Sequence, residues 1–157
     1  NKKLNNFISR YFGKRCILYG ADYWLHKPSL TKKKESAQNW HRDPESEKII
    51  KVFIFINKVG NLQGPTEFII KSHKSSSNFY LRNLYRNITI TPPGICKSIL
   101  NNKKGDVFKS VGEIGEIVLM DTSGFHRGGS CEKERLIANI NYLPINNLKN
   151  IPSWKNN

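Results

Sequence analysis

Four histidines, His26, His41, His73 and His126, are the side chains best suited to hold a metal ion, and their neighbours separate them. His41-Arg42-Asp43 is an H-x-D pair. In an extended strand residues i and i+2 project from one face, so this imidazole and this carboxylate can bind the same ion. An isolated H-x-D is common by chance, and its meaning comes from its company. His126 stands in the glycine-flanked segment Gly124-Phe125-His126-Arg127-Gly128-Gly129, just after an apolar run ending at Asp121. Two imidazoles and one carboxylate from separate elements make the facial triad that holds non-haem Fe(II) and leaves coordination positions open. Such positions accept a bidentate 2-oxo acid and O2. Arg135 follows His126 at the start of the last apolar segment. Its guanidinium can grip the far carboxylate of that acid with two parallel hydrogen bonds, which lysine cannot do. A lone strand arginine more often ends in a surface ion pair; the order H-x-D, long interval, H-x8-R sets this one apart.

Residues so far apart in the chain need a scaffold that brings them together. Leu4, Phe7, Ile8, Tyr11 and Phe12 recur at helical spacing, which predicts a short amphipathic helix ending near Gly13. Cys16 to His26 reads as a strand closed by Lys27-Pro28, and Ser29–Ala37 as a polar loop. Lys48 to Val59 is the strongest strand pattern, with the turn-forming Gly60-Asn61 after it. Shorter strands are expected at Thr66–Lys71, Val107–Val111, Glu116–Asp121, Phe125–Gly128 and Leu136–Leu143. Between about Ser75 and Lys104, Pro92-Pro93-Gly94 and many Asn and Ser read as an insertion, and the residues after Pro144 as a solvated basic tail. Many short strands with helix only at the start predict an all-β sandwich or barrel. A double-sheet jelly roll is one such solution, although periodicity alone does not choose it.

At 157 residues and 18.1 kDa the chain is the size of one domain. It reads as a single unit over 1–157 with a core at about 16–144. Residue 1 is Asn rather than Met, so the reading allows for a missing N-terminal part. No apolar run approaches the ~20 residues of a membrane span, and no signal segment follows the N-terminus. A cytoplasmic protein with no membrane partner is therefore expected. The net charge of +14 and pI near 9.8 are also a footprint of nucleic-acid binding. Lys (19), Asn (18) and Ile (18) are all favoured by an AT-rich coding sequence, however, which explains the charge without a function. Only Lys32-Lys33-Lys34 forms a run of three, and patterns that interleave basic and aromatic residues, or pair Cys with His at zinc-finger spacing, are absent. Cys16, Cys96 and Cys131 form no C-x-x-C pair and imply no disulfide framework.

Gln38–Asp43, the stretch Gly64-Pro65-Thr66-Glu67-Phe68-Ile69-Ile70-Lys71-Ser72-His73-Lys74, and Asp121–Gly129 through Arg135 together resemble the phytanoyl-CoA dioxygenase family of Fe(II)/2-oxoglutarate oxygenases. The likeness covers roughly residues 16 to 144. It implies a double-stranded β-helix (jelly-roll, cupin-like) core, iron held by His41, Asp43 and His126, and 2-oxoglutarate held at its far end by Arg135. The reaction implied is hydroxylation of a C–H bond with O2, 2-oxoglutarate leaving as succinate and CO2. Retention of Asp43 fits hydroxylation or a related oxidation, since related halogenases replace this carboxylate with Ala or Gly. Side chains on the first and third core strands face the co-substrate in that family, which gives Tyr23 and Phe53 here. Members often carry a hydroxyl residue two positions after the second histidine; this chain has Gly128, with Thr122 or Ser130 as substitutes. His73 has a structural role in the pattern. The expected partner is a small-molecule substrate, anionic if the charge is functional. Tyr19, Trp24, Trp40, Arg127 and the 75–104 insertion are candidates to line its pocket. Two other classes share parts of the pattern. A non-catalytic jelly-roll binding domain needs the strands but not His41, Asp43 and Arg135 together, and a basic nucleic-acid-binding domain would bind with steep salt dependence.

Overall fold

The fold is that of a computed structural model, which describes residues 1–28, 36–43, 45–46, 48–73 and 106–145. The expected insertion, the basic tail, Cys96 and most of the 29–37 loop lie outside the described residues. The chain opens with helix α1 (Lys2–Phe12). The Asn1 side chain caps it by accepting from the N–H groups of Lys3 and Leu4 at 3.0 and 3.3 Å. Gly13 ends it in the left-handed region at φ 70°, where a side chain would be strained, and its N–H returns to Arg10 O. The spacing of Leu4, Ile8 and Phe12 puts one apolar stripe against the sheet below, where Ile8 and Phe12 are buried on Ile50, Val52 and Tyr142.

Seven strands form two antiparallel sheets. β1 (Cys16–His26), β7 (Arg135–Pro144), β2 (Ile50–Phe55) and β5 (Ile117–Asp121) lie side by side in that order. β4 (Val107–Lys109), β3 (Thr66–Ile69) and β6 (His126–Gly128) make the second sheet, which a single bridge between His41 and His126 extends by one more segment. The chain passes back and forth between the sheets, so neighbours in space are distant in sequence. This is the jelly-roll winding of a double-stranded β-helix. Expected strands and observed strands agree in number and place among the described residues. Lys48–Val59 is the main difference, because regular pairing stops at Phe55. Asn57 there replaces the ladder with its side chain, accepting from Leu136 N–H at 2.8 Å and donating to Glu134 O at 2.9 Å.

Register decides which residues see the interior. Phe53 stands opposite Asn139, Phe55 opposite Ile137, and Ile137 opposite Trp24. Trp24, His26, Lys51, Phe53, Met120, Arg135, Ile137 and Asn139 therefore share the face between the sheets, and Phe53, Phe55, Val59, Met120 and Ile137 form its apolar core. Ile50, Val52 and Tyr142 occupy the opposite face under α1. Ile8 is fully buried there. Ile8→Ala should therefore destabilise the protein by ~2–5 kcal/mol through lost burial and the cavity left behind, read as a lower urea midpoint with an unchanged m value.

Candidate metal centre and anion site

The histidine of the H-x-D pair and His126 are locked to each other by their backbones. His41 N–H donates to His126 O at 2.9 Å, and His126 N–H donates to His41 O at 3.0 Å. Their rings are thereby held with centroids 4.2 Å apart. Asp43 follows with its N–H on Thr122 O at 3.0 Å, so its carboxylate arrives beside the two imidazoles. His41 Nδ1 lies 2.8 Å from Asn39 O and His126 Nδ1 lies 3.0 Å from Gly124 O. A carbonyl only accepts, so each Nδ1 carries the ring proton and each Nε2 keeps its lone pair for a metal. His126 Nε2 is 3.8 Å from Asp43 Oδ2, and ligand atoms of His41, Asp43 and His126 all lie within 4.8 Å of one another. Sequence spacing alone proposed this set, and the fold assembles it.

Burial and neighbouring charges shift the ionisation of the triad in opposite directions. Burial pushes His126 down to about 4, opposed by the Asp43 carboxylate and aided by His41, so the ring is neutral at pH 7. Burial would raise the Asp43 carboxyl, but the Lys51 ammonium bonded to it opposes this, and the group is held below its ordinary range. Lys51 Nζ is 2.8 Å from Asp43 Oδ2 and 5.6 Å from the centre of the Trp24 ring. Lys51 escaped the sequence reading because a lysine in a strand pattern normally marks a solvated face. Its place opposite Asn141, two residues from Phe53, was the available signal.

Arg135 is 3% exposed and faces inward from the first position of β7. Burial lowers its guanidinium to about 10, so it stays protonated at neutral pH. Its Nη1 donates to Gly64 O, its Nε has no hydrogen-bond partner, and no carboxylate pairs with it among the described residues. A Cβ built on Gly128 would lie 3.8 Å from Nη2. The guanidinium thus reaches β6 two residues beyond His126 on the same face, roughly 7 Å along the strand. A buried cation without an anion, in the same interior as a candidate metal-ligand set, is a candidate anion site.

The stretch from Gly64 to His73 holds no metal ligand, and its contacts explain its presence. Gly64 is in the left-handed region at φ 62°, and a Cβ there would come within 2.6 Å of Gly129 O. Only glycine lets this turn press on the end of β6 and offer its carbonyl to Arg135. Phe68 stands opposite His126 in register. Ser72 Oγ accepts from Phe125 N–H at 2.8 Å. On the other side of that turn, Asp121 accepts from Ser123 N–H and Oγ at 3.1 and 2.6 Å and from Tyr11 OH at 2.5 Å. Together these fix the backbone that carries His126.

Other expected positions divide. Phe53 faces inward, 3% exposed and packed near Trp24. Tyr23 requires correction: it is 79% exposed on the outer face, and Trp24 and His26 hold the inward positions of β1. Trp40 packs in a core cluster with Ile69 and Phe125, and Arg127 pairs with Glu67 at 2.7 Å while stacking on Trp40. Thr122 is buried beside Asp43, and Ser130 is exposed. Cys16 and Cys131 are free thiols. Among the described residues, no helix is long and apolar enough to cross a membrane.

No family model matches the chain, and no curated protein matches it in sequence. Its fold does match solved structures. EctD from S. alaskensis, in a crystal structure with 2-oxoglutarate and 5-hydroxyectoine, superposes with a TM-score of 0.67 at 14% identity, covering 92% of this chain and 50% of that one. The non-haem alpha-ketoglutarate-dependent epimerase SnoN from nogalamycin biosynthesis gives 0.65 at 15% identity, covering 90% and 54%. AviO1 from Streptomyces viridochromogenes gives 0.60 at 16%, covering 97% and 60%. The chain spans about half the length of EctD and SnoN. At such identities the likeness establishes the fold, which is the double-stranded β-helix reached independently from the strand order.

Proposed function

We propose that the protein is a non-haem Fe(II)- and 2-oxoglutarate-dependent oxygenase that hydroxylates a C–H bond of a small molecule, similar to the phytanoyl-CoA dioxygenase family. The observation that carries this reading is the meeting of His41, Asp43 and His126 around one point with an unpaired, buried Arg135 guanidinium beside them. The donor set suits iron: two imidazoles whose Nδ1 atoms face backbone carbonyls and leave Nε2 for a metal, and one carboxylate. The anion site suits the distal carboxylate of a five-carbon diacid whose oxo-acid end lies at the metal. Two proteins of the same fold support this: EctD is seen with 2-oxoglutarate, and SnoN is alpha-ketoglutarate-dependent.

Iron(II) held by His41, Asp43 and His126, with 2-oxoglutarate and O2, would supply the oxidising power, the diacid being converted to succinate and CO2. The chain's own part is binding and exclusion. Carbonyls of Asn39 and Gly124 fix both ring orientations, Arg135 would hold the diacid, and Trp24 packs with Phe53 on the interior face. Anaerobic addition of Fe(II) and 2-oxoglutarate should give a weak visible metal-to-ligand charge-transfer band that His126→Ala abolishes. Well-folded wild-type protein that shows no band would refute the reading.

Lys51 has a separable effect. Its ammonium already neutralises Asp43 and repels any arriving cation, at an exposure low enough for the interaction to be felt. Lys51→Met should therefore bind Mn(II) alone about tenfold more tightly than wild type, a change of ~1.4 kcal/mol, by calorimetric titration. Its binding of the dianionic co-substrate should weaken.

A further inference from the structure

Two buried nitrogens on facing strands are left without a partner. Arg135 Nε is one and His26 Nε2 is the other. His26 and Arg135 are directly opposite in the β1–β7 register, so their Cα atoms are neighbours and both side chains enter the interior. Burial and the Arg135 charge push His26 down to about 4, so its ring is neutral and free to carry its proton on Nε2. Buried polar atoms of a native fold are nearly always satisfied, and two adjacent exceptions mark a missing acceptor.

We propose that His26 is a co-substrate-binding residue, its Nε2–H sharing with Arg135 the distal carboxylate of the 2-oxo diacid. This rests on the oxygenase reading and deepens it. It also accounts for Gly128. A side chain there would reach the same guanidinium, since its Cβ would sit 3.8 Å from Arg135 Nη2 and 3.6 Å from Ala37 O, both ordinary contacts. Position 128 is open to a hydroxyl residue but has none. The second donor comes instead from β1, across the sheet.

The test uses the intact Mn(II)-loaded protein under anaerobic conditions and two probes with the same oxo-acid head. 2-Oxoglutarate has the distal carboxylate and 2-oxobutyrate lacks it. Wild type should prefer 2-oxoglutarate strongly in calorimetric titration. His26→Leu should weaken 2-oxoglutarate about tenfold to a hundredfold, the range for a hydrogen bond to a charged group, and leave 2-oxobutyrate unchanged. His26→Gln, which keeps an N–H donor, should recover most of the loss, and Gly128→Ser added to His26→Leu should recover part of it. Should His26→Leu melt early, His26→Phe keeps a ring beside Trp24 and carries the same expectation. Unchanged 2-oxoglutarate affinity in a folded His26 variant, or equal loss of both probes, overturns the assignment. Wild type that binds neither probe overturns the oxygenase reading itself.

Discussion

The reciprocal pair of backbone hydrogen bonds between His41 and His126 is the constraint on which the site depends. Side chains alone would not hold two imidazoles tilted against each other with centroids 4.2 Å apart, since nothing in the rings themselves favours that approach. The backbone imposes the approach, and the carbonyls of Asn39 and Gly124 then choose the tautomer. Everything that steadies the backbone of β6 therefore acts on the metal ligands. Ser72 and Asp121 clamp the turn before His126, and Gly64 packs against the strand's far end. Tyr11 joins α1 to the same turn through Asp121, so a helix on the outer face of the first sheet contributes to the inner site.

Charge balance explains why the interior is polar at all. A buried cation without an anion lowers stability, and well-packed apolar residues in place of Arg135 would relieve that cost. The protein keeps Arg135 there, with its Nε unpaired, and keeps Lys51 on Asp43. Desolvated charge is thus tolerated at two interior positions, a pattern common at functional sites. Under the proposed reading a divalent ion, one carboxylate and two neutral rings leave the centre positive. Lys51 and Arg135 add to that, and a dianionic co-substrate offsets them. These two interior cations have a specific electrostatic task, whereas the rest of the +14 needs none beyond composition.

How much of this was legible in sequence follows from what each signal encodes. β1 ends at Cys16 and His26 as its apolar run and Lys27-Pro28 predict, and Gly13 closes the helix as its type predicts. The triad and Arg135 were legible because their residue types are rare in that order. Face was not legible on β1. Leu18, Tyr19, Tyr23, Trp24 and Leu25 are apolar on both sides, so no alternation marks the interior, and the irregularity between Leu18 and Gly20 shifts the parity further. The resemblance puts Tyr23 on the co-substrate side, and no alternation in β1 shows that Trp24 and His26 point inward instead. Lys51 and His26 were missed for the same reason: each gains meaning only from the residue opposite, and register is set by long-range pairing.

The same logic separates fold from chemistry in the structural matches. At about 15% identity, strand order and winding persist because jelly-roll closure needs only alternation, turns and a filled interior. Function needs more, and the added requirement is local. Under the proposed reading, a single substitution at position 128 or 26 would change which donors meet a carboxylate. The pairing of an open glycine on β6 with an unsatisfied imidazole on β1 is such a local solution. His26 stands opposite Arg135 in register and a Cβ at 128 would lie 3.8 Å from its Nη2, so under the proposed reading a chain of this fold has two separate places from which to complete the same anion site.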